Sequence, residues 1–226
     1  MKKIKVYLET GAKKTFAGAI DWPGWCRSGR DADSALQALS DYGARYARVV
    51  RASKLGFQAP ARVSALEVVE RLKGDATTDF GAPSIAPAGD AKPVSAEELH
   101  AFEKILKACW RTFDANVKKA SGKELTRGPR GGGRQLEGMI EHVLGSDASY
   151  VNQVGWKFRQ DETASLNRQL KETRQAILDG LKASARAEIP AKGPRGGVRW
   201  TARYFVRRIA WHTLDHAWEI EDRLQS

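Results

Sequence analysis

Apolar and polar residues alternate at the start of the chain. Ile4, Val6 and Leu8 fall on one face at period two, the pattern of a half-buried strand. "GAKK" reads as a turn and "TFAGAI", 15–20, as the second strand of a hairpin. After the Pro23-Gly24 break the period changes. Leu36, Leu39, Tyr46 and Val50 recur at helical spacing, which predicts a helix over 33–53 opened by Asp31 or Asp33 as its cap. "SALEVVERL", 64–72, fits either state by periodicity, and its β-branched residues favour a third strand. A small ββαβ module over residues 1–73 is expected.

Residues 74–94 lose all periodicity and are rich in Gly, Ala, Pro, Thr and Asp, which predicts a linker. From Ser95 onward the helical period returns. Ser95 and Glu98 form a capping box ahead of a helix reaching about Lys119, with Leu99, Phe102, Leu106, Cys109, Phe113 and Val117 as its apolar stripe. Further helices are expected over 134–154, 162–185 and 200–224. Four helices of this length predict a four-helix bundle over 95–226. The expected fold class is therefore α+β: the ββαβ module followed by the bundle.

Composition narrows the setting. A 226-residue chain with 42% hydrophobic residues can bury a core, and no apolar run approaches the roughly 20 residues that span a bilayer. The alternating "MKKIKVYLET" start lacks the apolar block of a signal peptide, so a cytoplasmic protein without membrane association is expected. Two distant cysteines, Cys26 and Cys109, make neither a disulfide framework nor a zinc spacing. A net charge of +11 raises nucleic acid as a partner, although lysines and arginines are spread over the whole chain.

Chemistry concentrates at "WHTLDHAWEIEDR", 211–223. Two of the four histidines, His212 and His216, lie one helical turn apart there. At roughly 100° per residue they share an arc with Phe205, Ile209 and Ile220, and Glu219 falls beside them. Two imidazoles so placed can bind one divalent metal. Inward histidines can also simply hydrogen-bond within a core. A third ligand is best supplied by His142, on a polar row bordering the stripe of the second bundle helix; His100 lies far from its own helix's apolar stripe and is expected in solvent. Trp211, Leu214 and Trp218 fall outside the bundle-facing arc. They require cover from the N-terminal module or from a second copy of the chain, a possible homodimer.

On these histidines the segment 95–226 resembles the DinB/YfiT-like superfamily of metal-binding four-helix bundles. The resemblance implies a divalent metal held by His142 from the second helix and by the His212/His216 pair from the last. Zinc or nickel leads, with iron and copper also suited to imidazole. It further implies a metal-dependent transferase or hydrolase, acting by thiol-dependent S-transfer or hydrolysis on a small molecule, with a low-molecular-weight thiol as partner. Glu219 would act catalytically, orienting a ligand or accepting a proton. "TFAGAIDWPGWCRSGRDADSALQAL" resembles the HicB-like antitoxin module. That implies the alternative, a non-catalytic binding protein that uses its basic surface and this module to engage nucleic acid or a protein partner.

One motif recurs. "GPRGGGR", 128–134, precedes the second bundle helix and "GPRGGVR", 193–199, the fourth. Glycine-freed amides, helix N-termini and Arg130, Arg134, Arg195 and Arg199 could bind an anion. If the bundle ran up-down-up-down, both loops would share one end and form one site.

Overall fold

The computed structural model describes residues 3–128 and 133–224. It is a mixed α+β chain that divides into two compact units, 1–92 and 93–226.

In the first unit, β1 (Ile4–Thr10) and β2 (Thr15–Ala19) form the expected antiparallel hairpin. A further strand, β3 (Cys26–Gly29), continues the meander along β2. No strand is expected there from the sequence, because "CRSG" has neither β-branched residues nor alternation. Next come α1 (Ala32–Asp41) and α2 (Gly43–Val50), where one continuous helix was expected. Asp31 caps α1, its carboxylate accepting from Ser34 N at 2.8 Å. This crossover carries the chain to the far edge, where β4 (Leu66–Lys73) lies parallel to β1, giving the order β3-β2-β1-β4. Trp25 and Tyr46 stack in the core beneath, and each donates to a backbone carbonyl, Leu39 O and Pro23 O, both at 2.8 Å.

The stretch expected to be a linker is folded onto this sheet. It carries a short helix, α3 (Ala76–Phe80), and is held by Glu9, a fully buried residue of β1. The Glu9 carboxylate accepts from Thr78 Oγ1, Ser84 N and Ile85 N at 2.5, 2.8 and 3.1 Å. Asp79 in turn accepts the turn amides of Ala12 and Lys13 at 3.1 and 2.7 Å. Loss of periodicity marks chain without a long helix or strand, not chain without partners. One buried carboxylate suffices to order it.

The second unit holds four long helices: α4 (Ala96–Ala120), α5 (Leu136–Val154), α6 (Leu166–Ala185) and α7 (Ala202–Leu224). The Ser95/Glu98 capping box opens α4 as expected. Cross-helix contacts fix the directions. Arg203 pairs with Glu98 near the start of both α4 and α7, and Asn116 donates to Ala217 O near their ends, so these two run parallel. Tyr150 meets Arg208 while His142 meets His212, so α5 opposes α7. Asp114 with Arg174 and Glu103 with Lys182 set α6 against α4. Hence α5 and α6 run the same way, joined by the long connection 155–165, and the up-down-up-down expectation does not hold.

Every residue of α7 from Tyr204 to Leu214 is buried. Trp211, Leu214 and Trp218, assigned by wheel geometry to an outer face, are therefore interior at 5%, 0% and 2% exposure. Phe113, Leu136, Met139, Ile140, Val143, Ala217 and Ile220 pack into one apolar cluster that backs the histidine face of α5 and α7. No helix among the described residues is long and apolar enough to cross a membrane.

Candidate metal centre

Antiparallel packing of α5 on α7 brings His142 over the step between His212 and His216. The ring centroids lie 5.0 Å (142–212), 4.9 Å (142–216) and 4.7 Å (212–216) apart. One nitrogen from each ring falls within 4.8 Å of the other two. His142 Nε2 and His212 Nε2 are 3.2 Å apart. Nitrogens bound tetrahedrally at about 2.0–2.1 Å from one ion stand about 3.3 Å from each other; the His142–His212 pair is near that spacing, and the remaining pairs lie within 4.8 Å. His100 is exposed on α4, away from this cluster.

The surroundings lower the basicity of two of the three histidines, His142 and His212. Burial lowers the His142 pKa to about 4, helped by the charges of His216 and Arg134. Burial, then the neighbouring His216 and His142, push His212 well below its ordinary value. Neutral imidazole is the ligating form. His216 Nδ1 lies 3.1 Å from Glu219 Oε2. A carboxylate there accepts a hydrogen bond from Nδ1–H and so favours the tautomer whose Nε2 keeps its lone pair, the one a metal ligand needs. His212 differs, since its buried Nδ1 has no hydrogen-bond partner.

Glu219 was expected as an orienter or a proton acceptor. Both of its oxygens are engaged, Oε2 with His216 and Oε1 with Arg223 Nη1 at 3.2 Å. Its pKa is held below the ordinary glutamate value, first by the His216 hydrogen bond. That arrangement suits orientation better than proton transfer. Both cysteines are buried, and burial pushes the Cys109 thiol up. Neither is placed as a nucleophile, so thiol chemistry here would use a thiol from solution.

Beyond the three histidines, two further neighbours, Tyr150 and Arg208, are not singled out by the sequence alone. The Tyr150 ring meets His212 edge-on at 5.8 Å, and its hydroxyl accepts from Arg208 Nη2 at 3.2 Å. The Arg208 guanidinium also lies over Trp200 and Trp211, at 5.8 and 5.2 Å. Arg208 precedes His212 by four residues, so helical spacing alone could have flagged it.

The arginine loops are not brought together. Because α5 and α7 run in opposite directions, Arg134 and Arg199 lie at opposite ends of the helices. Gly133 faces Arg223, near the C-terminus of α7, and Arg199 packs on Gly155, which ends α5. Arg195 is exposed in a tight turn closed by Gly193 and Gly197, and Arg199 donates to Pro190 O at 3.0 Å. Arg130 lies outside the described residues. Among the described residues, Arg134 stands apart from Arg195 and Arg199, so these three do not share one anion site.

No family model, no curated protein and no solved structure matches this chain.

Proposed function

We propose that this chain is a DinB-like metalloprotein in which His142, His212 and His216 hold a divalent ion, zinc or nickel first, inside a four-helix bundle. The carrying observation is the convergence of three imidazole nitrogens within 4.8 Å on antiparallel α5 and α7. The low basicity of His142 and His212 supports it further, because no proton need be displaced from them near neutral pH. Three protein ligands leave coordination positions open, the pattern of a catalytic rather than a structural site.

When bound, a divalent ion there acts as a Lewis acid and lowers the pKa of a coordinated water or thiol. The chain's own residues do the rest. Glu219 fixes the His216 tautomer, the apolar cluster behind the ligands excludes water from that side, and Tyr150 restrains the His212 ring. The reaction proposed is thiol-dependent transfer or hydrolysis on a small molecule. The N-terminal unit is read as a HicB-like docking module.

The test is elemental analysis of protein purified without a nickel column. One equivalent of metal is expected in the wild type, and none after His142→Ala, His212→Ala and His216→Ala are combined. His100→Ala should keep its metal. Stoichiometric metal in the triple variant would overturn the assignment.

A further inference from the structure

Three residues after His216 and four before Arg223, Glu219 sits in a row along one face of α7. Arg223 is only 3% exposed. Its Nε donates to Thr126 O at 2.6 Å, and its Nη1 to Arg134 O at 2.7 Å and to Glu219 Oε1 at 3.2 Å. Thr126 returns two bonds to the Arg223 carbonyl, from N at 3.2 Å and from Oγ1 at 2.9 Å. The planar guanidinium thus fastens three points in fixed directions, which an ammonium on a flexible stem cannot do. Two of those points flank the first glycine-rich loop. The third is the carboxylate that holds His216.

We propose that Arg223 is a positioning residue for His216. Acting through Glu219, it makes metal affinity depend on how the chain around Thr126 and Arg134 is held. This deepens the metal-site reading and rests on it. Glu219 alone is a partly exposed side chain with several rotamers. Clamped at Oε1 by Arg223, it presents Oε2 to Nδ1 in one orientation, and Nε2 then faces His142 and His212. Gly133 belongs to the same device. Its φ is +125°, and a Cβ built there would stand 2.9 Å from Arg223 Nη1. The glycine is required both by the backbone and by the closeness of the guanidinium. Gly133 and Arg134 thereby acquire a role at the metal centre that Arg195 and Arg199, at the other end of the helices, cannot share.

Zinc affinity is to be measured by competition with a chelating dye, and histidine tautomers by ¹⁵N NMR on the metal-free protein. Arg223→Met should weaken zinc binding by about 10–100-fold, the usual loss when an outer partner of a ligand is removed. It should also turn the single Nδ1-protonated form of His216 into a tautomer mixture. Arg223→Lys should restore only part of the affinity. Because Arg223 acts through Glu219, Arg223→Met added to Glu219→Ala should cost no further affinity. Gly133→Ala, which keeps every ligand and every hydrogen-bonding side chain, should shift the His216 signals in the same direction. It also serves should Arg223→Met fail to fold. Unchanged affinity and tautomer in Arg223→Met, or fully additive losses in the double variant, would overturn the proposal. If the wild type takes up no zinc, the metal-site reading fails, and the metal-free tautomer measurement still decides the relay.

Discussion

Asp147 lies on α5, five residues beyond His142, at 4% exposure and with Oδ1 lacking any hydrogen-bond partner. Burial raises its pKa from 3.8 to about 7. The opposing charge is that of Arg174, but this guanidinium is committed to Asp114 through two bonds of 2.8 and 2.6 Å. A carboxyl whose folded pKa exceeds its unfolded value binds more protons when native. Its ionisation therefore costs stability as pH rises from about 4 to about 7, and the cost is level above that. The difference between 3.8 and about 7 corresponds to about 4 kcal/mol. Asp147→Asn removes the ionisation but leaves a buried amide whose unmet bonds cost about 1–3 kcal/mol. The variant should be close to the wild type near pH 5 and more stable by roughly 1–3 kcal/mol at pH 8. Urea unfolding at half-unit pH intervals measures this directly. If the wild type and Asp147→Asn give parallel stability curves between pH 5 and 8, the carboxyl is not the buried acid described.

Other perturbations have equally definite outcomes. Glu9→Ala strands the donors of Thr78, Ser84 and Ile85, so limited proteolysis should open within 74–92 in the variant while the wild type resists there. Phe113→Ala, at a site 1% exposed in the cluster behind the histidines, should cost about 3–5 kcal/mol by urea unfolding. Arg195→Met, in an exposed turn at the end of the helices remote from Arg134, should leave zinc affinity unchanged in the same dye competition.

Periodicity made α4, α5, α6 and β4 legible because each has one dry face, whereas Val6–Glu9 of β1 and all of β2 are buried on both faces, although a half-buried strand was expected for β1. The boundaries of α4 and α5 fall close to those expected from the Ser95 cap and the Leu136–Val154 stripe. It failed where burial is not one-sided. In α7 every residue from Tyr204 to Leu214 is buried, so a wheel that singles out one bundle-facing arc could say that Trp211 and Trp218 need cover but not what supplies it. It failed again where order comes from a single polar group, as at Glu9. And it could not supply helix direction, since a connection such as 155–165 is long enough to return the chain to either end.

That last gap decided which site residues could be read in advance. The His212/His216 pair and Glu219 are local to one helix, so spacing alone placed them together. His142 was reachable because its own helix position set it beside an apolar stripe, whatever the direction of α5. The arginine loops depended on direction entirely, and the antiparallel packing of α5 on α7 that gathers the histidines is the same fact that drives Arg134 and Arg199 apart. Arg223 lay between these cases. Its spacing from Glu219 was visible in "EIEDR", yet an exposed helical pair of that kind contributes only about 0.2–0.5 kcal/mol and gives no reason for notice. Burial at 3% and two backbone carbonyls from a distant loop change its weight, and neither is written in the helix that carries it.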